Sequence, residues 1–158
     1  MSYIRQVPRA LDDEHRTSLE FLGRLERVIR DRDSAATLAL AGSLVRYLEH
    51  EVERHFLFEE RELFPRLAEA GDEELAMLLA EEHETIRSVA DELLPLAAQL
   101  AAGMTGVAAH PAFGRLALEL VERQVAHIQK ESMALLPVLE DVLDDDSDRE
   151  LAFAYAGD

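Results

Sequence analysis

One pattern occurs twice in this chain, and the repeat restricts the architecture more than any other feature of its 158 residues. His55-Phe56-Leu57-Phe58-Glu59 is followed, after three intervening residues, by Leu63-Phe64-Pro65-Arg66-Leu67. His127-Ile128-Gln129-Lys130-Glu131 is followed, again after three intervening residues, by Leu135-Leu136-Pro137-Val138-Leu139. A fainter match precedes each copy: Asp13-Glu14-His15-Arg16-Thr17 beside Glu81-Glu82-His83-Glu84-Thr85. His15 lies 40 residues before His55, and His83 lies 44 before His127. The chain reads as two copies of one unit, each offering a His and then His-x-x-x-Glu.

The unit is a helical hairpin. Ala, Leu, Glu and Arg dominate, Gly and Pro are sparse, and no stretch alternates β-branched with polar residues. Apolar residues recur at helical spacing over residues 9–30, 35–70, 73–101 and 112–143. Ser34 is the expected N-cap of the second segment. Gly71 ends that segment, Asp72 caps the third, and Pro111 suits the first turn of the fourth. Pro65, Pro95 and Pro137 fall inside segments, where each should kink its helix or mark its last turns. Four long helices with short connections predict an all-α fold, an up-down-up-down four-helix bundle built from two similar hairpins.

Residues i and i+4 are about 400° apart, so each His-x-x-x-Glu pair shares a helix face. Glu59 and His83 each lie 12 residues from Gly71, which brings them level across that turn. His15 and His55 lie 18 and 22 residues from Asp33, within about one turn of level. His15, His55, His83, His127, Glu59 and Glu131 should therefore converge in one layer, each on a mostly apolar stripe. Burying that many polar and ionisable groups unpartnered is costly, and metal coordination is the simplest remedy. The donors are nitrogen and oxygen only, which suits iron or manganese, with zinc also compatible. One carboxylate from each hairpin suits a dinuclear site, with two His per metal and two bridging carboxylates.

The other candidates carry less. His50 is about 140° from His55 around the helix and reads as surface. His110 reads as a cap or loop residue. Glu51, one turn before His55, is an expected outer contact or extra ligand. Zero Cys excludes disulfides, thiolate metal sites, iron–sulfur clusters and cysteine nucleophiles. A formal charge of −17 disfavours nucleic acid and anionic membrane surfaces as partners. No apolar run approaches a membrane span and no signal peptide is recognisable, so the expectation is a cytoplasmic protein. Residues 141–158 hold seven acids and one Arg and read as a solvated tail, although Leu151, Phe153 and Tyr155 offer apolar groups for docking.

Taken together, His15, His55-x-x-x-Glu59 with Leu63-Phe64-Pro65, His83, and His127-x-x-x-Glu131 with Pro137 resemble the hemerythrin-like, or HHE cation-binding, family over residues 11–143. The resemblance implies a single bundle domain, assigned to residues 1–145, followed by an acidic tail at 146–158. It also implies an oxo- or hydroxo-bridged centre of two iron ions. The six residues above would be its ligands, and the partner would be dioxygen or a related small ligand that is bound or sensed. Alternatives are a di-iron oxidoreductase consuming peroxide, nitric oxide or oxygen, and an iron-handling regulatory module. The identity of any protein partner is not legible in the sequence. Two departures separate this chain from the oxygen-carrying members. Their second His on the third helix is replaced by Arg87, and their Asp five residues after the fourth-helix His is replaced by Glu131 at four. Arg87 then either snorkels to solvent or holds an anion near the site.

Overall fold

A computed structural model describes residues 2–157 and is built from helices. Met1 and Asp158, the last residue of the expected tail, lie outside the described residues. The first segment is helix α1 (Gln6–Arg30). The second begins as α2 (Ser34–Arg46), capped by Asp33 and not by Ser34: the Asp33 carboxylate accepts from the Ala36 N–H at 3.0 Å. A carboxylate here also complements the positive end of the helix.

The second segment is helical to Glu69, but not uniformly α. Two π-helical turns, Tyr47–Val52 and Glu59–Leu63, flank α3 (Glu53–Phe58), and α4 (Phe64–Glu69) completes it. Pro65 explains part of this. It has no N–H for the Arg61 carbonyl and its ring crowds that carbonyl, and the wider turn upstream relieves both. Gly71 then takes φ +108°, a left-handed conformation open to glycine at little cost.

Asp72 caps α5 (Glu73–Ala101) by accepting from the Leu75 N–H, and Pro95 sits in the last two turns of α5 without splitting it. After a short 3₁₀ turn at Thr105–Ala109, His110 caps α6 (Pro111–Ala134): its Nδ1 accepts from the Ala112 N–H. Pro137 forces a break at Leu135, beyond which α7 (Leu136–Val142) continues.

The expected solvated tail is instead helix α8 (Asp145–Gly157), which packs on α1. Leu151 is buried and Tyr155 half-buried, while Phe153 faces solvent. The acidic composition concealed a local role. Asp148, itself buried, accepts from the Gln6 and Val7 N–H groups at 2.8 and 2.9 Å, closing the otherwise uncapped start of α1.

α1 packs on α6, and α5 packs on α2, α4 and α6. The apolar core falls into two parts. One gathers Leu22, Leu44, Val52, Phe56, Ile86, Leu93, Leu120 and Ile128. The other gathers Val7, Leu11, Leu63, Leu67, Leu79, Leu136 and Leu139. The predicted polar layer lies in sequence between the two on every long helix, which suspends it in a largely dry interior.

Candidate metal centre

The structure brings all six predicted residues together. His15, His55, Glu59 and Glu131 form one group, and Glu59, His83, His127 and Glu131 form a second; in each, the donor atoms lie within 4.8 Å of one another. The two groups share both carboxylates. α1 supplies His15, α3 His55, the following π turn Glu59, α5 His83, and α6 His127 and Glu131.

Every imidazole is held from behind by Nδ1. His55 Nδ1 lies 2.7 Å from Glu14, His83 Nδ1 2.6 Å from Glu60, and His127 Nδ1 2.9 Å from Glu82. His15 Nδ1 lies 2.9 Å from the Ser132 hydroxyl. A carboxylate only accepts, so Nδ1 of the three carboxylate-bound rings carries the proton and Nε2 presents a lone pair. These lone pairs point inward. His55 Nε2 is 3.4 Å and His83 Nε2 3.3 Å from Glu59; His127 Nε2 is 3.3 Å and His15 Nε2 3.2 Å from Glu131. His83 Nε2 and His127 Nε2 face each other at 3.0 Å.

The centre is thus a convergence of acceptors. Both Glu59 carboxylate oxygens and Oε2 of Glu131 are buried without a hydrogen-bond donor. Such groups are not left unpaired in a stable interior, so the layer requires positive charge at its middle. Donor separations of 3.0–3.4 Å match neighbouring donors on one ion with bonds of about 2.0–2.2 Å. The residues present fit a cation.

The ionisation pattern agrees. Burial opposes charge on His127, yet the facing Glu131 carboxylate lifts its pKa to about 9. Burial likewise opposes charge on His55, and Glu59 and Glu14 still raise it well above the ordinary histidine value. Burial pushes the Glu59 carboxyl up, and the Glu131 charge adds to that. Where protons are the only cations available, the layer recruits them.

The partners behind the rings obey the repeat. Glu14, one residue before His15, holds His55, and Glu82, one residue before His83, holds His127. Glu60, one residue after Glu59, holds His83, and Ser132, one residue after Glu131, holds His15. Sequence reasoning passed over all four. The Glu-His dipeptides at 14–15 and 82–83 were the available signal; the 60/132 pair differs in residue type and left none.

Arg87 is partly exposed and holds anions, but these are carboxylates of the chain itself. It pairs with Glu60 at 2.9 Å and Glu84 at 2.6 Å, lies over the Phe56 ring, and so braces the carboxylate behind His83. Phe56 stacks flat on His83 with ring centroids 3.7 Å apart. Glu51 sits on the rim, near Glu14 and His55, and does not join the six. Tyr155 of α8 reaches the same corner: its hydroxyl lies 3.2 Å from His55 Nδ1. His50 is exposed, as its helical angle requires.

Comparison with known proteins agrees with this geometry. No curated protein and no solved structure matches the chain significantly. A family profile described as the hemerythrin HHE cation binding domain matches residues 7–139, a span that contains all six converging residues. The chain belongs to the hemerythrin HHE cation-binding family.

Proposed function

We propose that this protein holds a pair of iron ions between its two hairpins and uses them to bind or sense dioxygen or a related small ligand. His15 and His55 serve one ion, His83 and His127 the other, and Glu59 and Glu131 serve both. The observation that carries the reading is the pair of overlapping four-donor groups that share both carboxylates. An all-nitrogen-and-oxygen set containing four imidazoles favours iron over magnesium or calcium, which prefer oxygen throughout. The same reading takes the helices in up-down-up-down order, the order that levels Glu59 with His83 across Gly71.

Iron bound there would supply one-electron chemistry and a coordination position for a small ligand. The chain's own part is support. The outer carboxylates fix ring orientation and raise ring basicity, the two apolar cores keep bulk water out, and Phe56 covers the His83 and His127 half. With Arg87 where the carriers have an imidazole, the ligand set is two His on each half.

Metal analysis with absorption spectra in air and under nitrogen tests the proposal. About two irons per chain and an oxygen-dependent spectral change are expected; one reproducible zinc would refute it. Glu59→Ala and His127→Ala should each abolish stoichiometric iron binding, and full retention in both would remove the assignment.

A further inference from the structure

Beside the His15 and His55 half lies a small internal cavity, lined by His15, His55, Glu131, Ser18, Ile128 and Gln124. It shares Glu14, Ser18 and Glu51 with a wider surface groove between α1 and the first π turn, so the two adjoin. Gln124 is the unusual group in the lining. It is 4 % exposed, and its Oε1 has no hydrogen-bond partner. Its Nε2 donates to the Tyr47 hydroxyl at 3.1 Å, and that hydroxyl bonds Ser18 in turn. With Nε2 engaged by Tyr47, which lies outside the cavity lining, the carbonyl oxygen is the end left for the cavity.

The repeat shows that this is not a general requirement of the bundle. Gln124 stands three residues before His127, and the residue three before His55 is Val52, buried in the apolar core. One half of the layer is flanked by hydrocarbon; the other carries a fixed, unpartnered acceptor.

We propose that Gln124 determines ligand choice at this centre: its Oε1 selects small ligands that bring a hydrogen-bond donor, such as water, hydroxide or hydroperoxide, over aprotic anions. This rests on the metal reading above. A buried acceptor gains a hydrogen bond from an O–H and repels an anion's lone pair, so both effects work in one direction. One neutral hydrogen bond corresponds to about threefold to tenfold in affinity.

The test is azide titration of the iron-loaded protein, followed by charge-transfer absorption, with iron content measured for every variant. Gln124→Leu should tighten azide about threefold to tenfold. Gln124→Met keeps the side-chain length without the carbonyl and should do the same, which covers a leucine variant that fails to fold. Gln124→Glu keeps the shape and strengthens the acceptor, so azide should weaken. A purely steric role predicts no such reversal of sign. Variants that hold two irons yet stay within twofold of wild type, or a Gln124→Glu shift in the same direction as Gln124→Leu, overturn the proposal while leaving the metal reading intact. A wild-type protein that takes up no iron overturns both.

Discussion

His83 and His15 occupy matching places in the repeat but are held differently, one by the Glu60 carboxylate and the other by the Ser132 hydroxyl. A carboxylate raises imidazole basicity more than a hydroxyl does, and losing such a partner typically lowers metal affinity about 10- to 100-fold. Glu60→Gln should therefore weaken iron binding by that order and Ser132→Ala by less, as measured by competition with a chelator. Arg87→Leu should fall between, because it acts at one remove, through Glu60 and the Phe56 ring. The metal-free protein should also show a characteristic pH response. His127 has its pKa raised to about 9 by Glu131. A raised folded-state value stabilises the fold below the unfolded histidine pKa of about 6.5, and that contribution is lost as pH rises through 9. Thermal unfolding of the metal-free protein should therefore move to lower temperature between pH 6.5 and 9, and iron loading should flatten the response. A metal-free Tm constant across that window would contradict the assigned His127 environment.

At the scale of elements, the start of α1 depends on the far end of the chain. Its own N-cap residue, Arg5, has no capping side chain; its first two N–H groups, of Gln6 and Val7, are taken by Asp148 of α8, and Glu140 of α7 takes those of Ile4 and Arg5 just before it. Asp148→Ala should destabilise the protein by about 1–2 kcal/mol in urea unfolding. Removing α8 altogether should cost more, because Leu151 leaves the core and Tyr155 leaves His55. The truncated protein should also bind iron less tightly through loosening of His55. The π turns are the other element-level feature. They lie on either side of His55 on the second segment, the second one beginning at Glu59, whereas α6 carries His127 and Glu131 in unbroken α-helix. The two hairpins are therefore copies in chemistry and not in backbone path. The first π turn also contains Tyr47, whose hydroxyl fixes Gln124.

For the whole molecule, the polar layer sets an energetic condition. Two apolar cores on either side favour folding, while the layer between them places inward-facing acceptors together without donors. A cation that binds only the folded state adds about 2.7 kcal/mol of stability at a hundred times its Kd. Iron should raise the Tm and a strong chelator should lower it; a Tm indifferent to both would remove the cation from the account of this fold. Among the described residues no helix is long and apolar enough to cross a membrane.

The sequence by itself determined the helices, the repeat and the six inner residues. Those depend on local periodicity and on counting residues from each turn, and helical rise converts both directly into height and face. It also announced Asp72, Gly71 and Pro111 as helix boundaries, because capping and left-handed backbone are local chemistry. Only the tertiary structure decided the rest. Which carboxylate stands behind which ring, that Arg87 braces Glu60, that the acidic end folds into α8 to cap α1, and that Gln124 is left with a bare carbonyl are all contacts between residues far apart in the chain. A π turn shifts the helix by one residue and leaves the apolar pattern nearly unchanged, so periodicity does not register it. Charge was the most misleading local signal: an acidic run reads as solvated until a distant helix start, with unpaired N–H groups, is brought against it.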